Sequence, residues 1–138
     1  MAEFLSVTKD VNISKLKSMY MSVLIKNAPN TSDLLPPFPY DTWIEYWESK
    51  KGAIDEYKKY NCPAGDCNEV CYRKDFDGCH VQKVGDTTKK MYIIPLCSGC
   101  NHRNDYFFVD ENLLVPAVLF HGTAADRRFC GDRLCVPG

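Results

Sequence analysis

The chain contains no run of about 18 consecutive apolar residues, so no segment reads as a membrane-spanning helix. It also has no charge excess: 17 Lys and Arg stand against 18 Asp and Glu, for a formal charge of −1. No cluster of Lys and Arg reaches the density of a nucleic-acid-binding tail. The pairs Lys50-Lys51, Lys58-Lys59 and Lys89-Lys90 each adjoin acids or turns and read as solvated faces. The first residues, Met1-Ala2-Glu3-Phe4, place an acid where a secretory signal has its basic start, and no long apolar stretch follows them. Disorder is excluded as well, because an apolar fraction of 45% with 12% aromatics is enough for one domain with a modest core.

What the chain does have is cysteine, eight in all. Two tight pairs, Cys62-Pro63-Ala64-Gly65-Asp66-Cys67 and Cys97-Ser98-Gly99-Cys100, bracket a segment of hairpin length. Tetrahedral zinc is held by two short chelating turns brought face to face, and this order of cysteines is how one chain supplies them. Cys62, Cys67, Cys97 and Cys100 are therefore the expected ligands, with Zn2+ as the expected cofactor. Cys71 lies four residues after Cys67 and competes with Cys62 for a place in the first pair. Chelating spacings without an export signal favour reduced thiolates over disulfides, and so an intracellular, reducing compartment.

Upstream, Ile13, Leu16, Met19, Tyr20, Val23 and Leu24 fall at three-and-four spacing, which predicts an amphipathic helix over Ile13 to Ile25 with Asn12 as its N-cap. Pro29, Pro36, Pro37 and Pro39 make the stretch from Asn27 to Tyr40 a connector, since proline has no N–H and a fixed φ. Thr42 followed by Glu45 is a capping-box signature, opening a second helix with Trp43, Trp47, Ile54 and Tyr57 near one face, Tyr46 pointing away from them, and Gly52 as a point of interruption. Its aromatics read either as core or as a partner-binding stripe.

Downstream, Gly78 to Val84 alternates and ends in Gly85-Asp86-Thr87-Thr88, predicting a strand and a turn. Lys90 to Leu96 returns as a second strand that Pro95 is expected to end. Cys97 and Cys100 then open a helix expected to run through Asn104. Tyr106 to Val109, Leu113 to Val115 and Ala117 to Phe120 are strand-like. In the tail, Cys130 and Cys135 repeat the spacing of Cys62 and Cys67. With His121, Cys71 or Cys79 they form candidates for a second site; a disulfide, free thiols or pairing with another chain are the alternatives.

A knuckle, a β-hairpin with a histidine on its first strand and a helix opened by Cys-x-x-Cys form the treble-clef arrangement. Gly78-Cys79-His80-Val81 with Tyr92-Ile93-Ile94-Pro95-Leu96-Cys97-Ser98-Gly99-Cys100-Asn101 resembles the core of the HNH, or His-Me finger, superfamily over about a third of the chain. The resemblance implies that His80 occupies the position of a general base acting on a phosphodiester, and Asn101 or His102 that of a distal ligand to a catalytic divalent ion. It departs from the pattern at Cys79, where an oxygen ligand or histidine is expected and where thiolate suits magnesium poorly, and at Tyr92, near the place of an asparagine that orients the base. The structural role for His80 is an imidazole hydrogen-bonded to a backbone carbonyl. The same residues are similar to uncharacterised zinc-knuckle proteins of large DNA viruses and algae, which implies a virion or infection-associated component. Zinc nucleobase deaminases are excluded, because Gln82 stands where their proton-shuttling glutamate is required and Leu96 separates Pro95 from Cys97.

The expectation is an α+β protein with a helical region at 1–60, a zinc-binding treble clef at 61–120 and a cysteine-containing tail at 121–138. Its expected function is a non-catalytic, zinc-stabilised structural or interaction module that binds other proteins, including as part of a larger assembly. A divergent HNH endonuclease and a nucleic-acid-binding zinc finger are the alternatives.

Overall fold

The computed structural model describes residues 21–117. In chain order these form β1 (Ser22–Asn27), α1 (Trp43–Lys51), β2 (Lys59–Asn61), β3 (Val70–Tyr72), β4 (Phe76–Lys83), β5 (Tyr92–Cys97), α2 (Ser98–Asn101), β6 (Phe107–Asp110) and β7 (Val115–Pro116). The architecture is mixed α and β. An antiparallel sheet of order β6-β1-β4-β5-β7 carries the fold, and β2 and β3 form a separate two-stranded ribbon. No helix among the described residues is long and apolar enough to cross a membrane.

The strand β5 shows how the layers are built. All six of its residues are buried, because one face of the sheet is covered by α1 and the other by the knuckle and α2. A strand buried on both faces loses the apolar-polar alternation of a half-exposed one. On the α1 side, Tyr46 and Trp47 pack on Ile93 and Val115. On the other side, Ile25, Val81, Ile94 and Leu96 pack with Phe107, Val109 and the cysteines.

The helix α1 begins as the sequence predicts. Thr42 Oγ1 accepts from the Glu45 N–H at 3.1 Å and Glu45 Oε1 accepts from the Thr42 N–H at 3.0 Å. It ends at Gly52, whose φ of +110° favours glycine, so Ile54 and Tyr57 lie beyond the helix and Tyr57 is 84% exposed. Tyr46 is not turned away from the tryptophans: it is buried, edge-on to Trp43 at 5.3 Å. Its hydroxyl donates to Pro116 O at 3.1 Å, and Trp47 Nε1 donates to Leu113 O at 2.7 Å, so both buried aromatics satisfy their polar ends against the chain leading into β7.

Three other expectations change. Ser22 to Ile25 belong to a strand rather than to the end of a helix, because β1 is held on both sides, with Ile25 opposite Lys83 of β4 and Leu24 opposite Phe108 of β6. Tertiary pairing overrides a short helical periodicity there; residues 13–20 of that predicted helix lie outside the described residues. Pro95 does not end the ladder: it sits within β5 opposite Gly78, and β7 pairs only through Tyr92 and Ile93, so on that edge Pro95 lies past the paired residues. The helix after Cys97 is one turn, Ser98–Asn101, with His102 as its cap. The predicted hairpin strands are otherwise placed within two residues, and Leu113 falls in a short helical turn between β6 and β7.

A candidate metal centre

Cys62 and Cys67 stand at the two ends of the knuckle, Cys97 at the end of β5 and Cys100 in α2. Their four sulfurs lie within 4.8 Å of one another. Among the described residues all six cysteines are free thiols. The knuckle turns on a Cys67 N–H to Ala64 O bond of 3.0 Å and is stitched to the sheet edge by Gly65 N–H to Phe108 O at 2.8 Å. A methyl group on Gly65 would come within 3.3 Å of that Phe108 oxygen, so a small residue suits the approach.

The donor set fits a tetrahedral thiolate site. Four sulfurs at about 2.3 Å from one ion are about 3.8 Å apart, and Cys67 Sγ lies 3.8 Å from Cys97 Sγ. Backbone N–H groups point at the sulfurs: Cys97 N at 3.5 Å from Cys62 Sγ and Glu69 N at 3.5 Å from Cys67 Sγ. Such contacts orient and stabilise thiolate ligands from outside the coordination sphere. Burial pushes the Cys62 thiol up and the Cys100 thiol to about 11. At Cys97 burial also acts upward, but the Cys100 backbone N–H and the neighbouring thiols outweigh it and bring it below the usual thiol range. Cation binding here must release protons, which makes the affinity pH-dependent.

Around this cage the chain is firmly held. Asn27 Nδ2 donates to Cys100 O and to Arg103 O, both at 2.9 Å, fixing the turn after α2 to the end of β1. The Arg103 guanidinium reaches Asp66, Asp105 and the Cys100 sulfur. The Arg103 fork holds the Asp66 and Asp105 carboxyls below their ordinary range. Sequence reasoning missed Asn27 and Arg103; the position of Arg103, three residues after Cys100 and outside any motif, gave little signal.

Of the other candidates, Cys71 is buried in β3 opposite Tyr60, and Cys79 is buried in β4 with its Sγ 3.3 Å from Asp77 O. Neither joins the group of four, and burial raises both thiols. His121, Cys130 and Cys135 lie outside the described residues. His102 is exposed, its Nδ1 2.7 Å from Ser98 O. Asn101 Nδ2 donates to Asp77 Oδ2 at 3.1 Å.

His80 is 7% exposed, and its Nε2 is buried with no hydrogen-bond partner. Its ring contact is with Trp43, edge-on at 4.7 Å. Burial lowers its pKa from 6.5 to about 4, leaving a neutral imidazole near pH 7. Asp77, Gly78, Asn101 and Trp43 line a surface groove, but His80 is not part of its wall. Tyr92 pairs with Val81 rather than with His80. Cross-strand partners share a face and successive residues alternate, so Tyr92 lies on the opposite face of the sheet from His80 and cannot orient its imidazole.

Comparison with models of protein families, with curated proteins and with solved structures finds no match.

Proposed function

We propose that this protein is a non-catalytic, zinc-stabilised structural or protein-interaction module. One observation carries the reading: thiols from two segments far apart in sequence, 62–67 and 97–100, converge within 4.8 Å of one another. Zn2+ bound there would supply folding free energy that a core of this size otherwise lacks. The order of knuckle, hairpin and short helix opened by Cys97 and Cys100 supports a treble-clef description. Four thiolates fill a tetrahedral ion, which leaves no position for a reacting water and fits a structural role.

The state of His80 supports the non-catalytic part. A general base must come within hydrogen-bond reach of the proton it takes, and this imidazole is covered by Trp43. Near-neutral overall charge favours proteins over nucleic acid as partners.

A second reading, a divergent HNH endonuclease with His80 as base, is favoured by one contact: Asp77 beside Asn101 supplies an oxygen group that Cys79 does not. Incubating the purified protein with plasmid and magnesium, manganese or nickel, next to His80→Ala, decides between them. The proposal predicts intact plasmid in every tube. Cleavage that disappears with His80→Ala would overturn it.

A further inference from the structure

We propose that Arg103 is the positioning residue of the four-thiol cage. Its guanidinium fork ties the knuckle that carries Cys62 and Cys67 to the segment that carries Cys97 and Cys100, and so holds the two ligand pairs at chelating distance. The inference rests on the metal-centre reading above.

The contacts converge on one side chain. Arg103 Nη1 and Nη2 donate to the two Asp66 oxygens at 2.6 and 2.9 Å, and Asp66 is the neighbour of ligand Cys67. Nε and Nη2 donate to the two Asp105 oxygens at 2.8 and 2.6 Å. Nη1 also lies 3.9 Å from the Cys100 sulfur, and the guanidinium lies over the Phe107 ring, 4.5 Å from its centre. The backbone of Arg103 is itself held: its N–H donates to Cys100 O at 3.2 Å and its carbonyl accepts from Asn27.

Charge alone does not explain this arrangement. Two carboxylates already offset the one guanidinium, so the positive charge it leaves for the cage is small. An exposed single ion pair would contribute little, whereas two bidentate pairs on one planar group fix distance and angle. Lysine carries the same charge without the fork. One arm of the fork crosses to Asp66, next to Cys67, while the other is braced on Asp105 in the segment that follows Cys100, so the fork spans from one ligand pair to the other.

The zinc-loaded full-length chain is challenged with excess chromophoric chelator and the rate of zinc release is followed for the wild type, Arg103→Ala, Arg103→Lys and Asp66→Ala. Removing a group that holds a metal ligand in place by hydrogen bonding from outside the coordination sphere typically weakens affinity about 10- to 100-fold. Release from Arg103→Ala and Arg103→Lys is expected to be at least about tenfold faster than from the wild type, with Asp66→Ala in between. Wild-type rates in Arg103→Ala, or full rescue by Arg103→Lys, would overturn the proposal. Should Arg103→Ala not fold, Asp66→Ala removes one arm from an exposed position, and a wild-type rate there overturns it equally. A wild type that takes up no zinc would sink the metal reading itself, an outcome distinct from equal release by loaded proteins.

Discussion

A Cβ at residue 78 would lie 2.7 Å from Trp43 Cβ, 2.8 Å from the Ile44 nitrogen and 2.9 Å from the Trp43 carbonyl carbon. Two of these are backbone atoms that cannot swing aside, so Gly78→Ala must displace α1 from β4. The expected loss is about 1–3 kcal/mol, as for other overpacked sites, read as a lower urea midpoint of the zinc-loaded protein; an unchanged midpoint would show that the helix seats elsewhere. His80, two residues on, gives a pH signature. The folded state keeps its imidazole neutral down to about pH 4, while the unfolded chain takes up a proton near pH 6.5. Stability is therefore full above pH 6.5, falls as pH drops towards 4 and levels off below. Between pH 7 and pH 5 the expected loss is about 2 kcal/mol. Comparing urea midpoints with those of His80→Leu, both at saturating zinc, isolates the effect, because acid release of metal affects both proteins alike. Equal pH dependence in the two would contradict the buried neutral histidine.

Among the elements, α1 is the most legible in the sequence, since Thr42 and Glu45 mark its start through a local pairing that needs no tertiary context. Thr42→Ala leaves the Glu45 N–H without its cap and is expected to cost about 1 kcal/mol in chemical denaturation; no measurable change would mean that packing alone sets the helix start. The strands β4 and β5 were legible for the same reason, being local and joined by a short turn. The strand β1 was not. Its residues repeat at helical spacing, and only the pairing of Leu24 with Phe108 and of Ile25 with Lys83, more than fifty residues away, makes them extended. Pro95 stays inside β5 for a related reason: whether a proline ends a strand depends on which edge is paired, and that is set by β7. Tyr46 lies on the buried side because β7 and the turn before it also cover α1 and widen its buried face beyond what helical spacing alone indicates.

For the whole molecule, the spacing of the cysteines indicated which four thiols meet, because chelation requires short turns and the sequence shows them. What holds those turns together was less visible. Gly65 on the Phe108 carbonyl, Asn27 on the Cys100 carbonyl and Arg103 on Asp66 are long-range contacts of unremarkable residue types. The strand β1 lies between β4 and β6, and through Asn27 it also anchors the turn after α2, so one strand joins the sheet to the thiol cage. The direct test is to titrate zinc into chelator-stripped protein under reducing conditions while following far-UV circular dichroism. The account predicts that native signal is lost on stripping and returns in full at one zinc per chain, but not with Cys97→Ser. A stripped protein that keeps its native spectrum and takes up no zinc would contradict it.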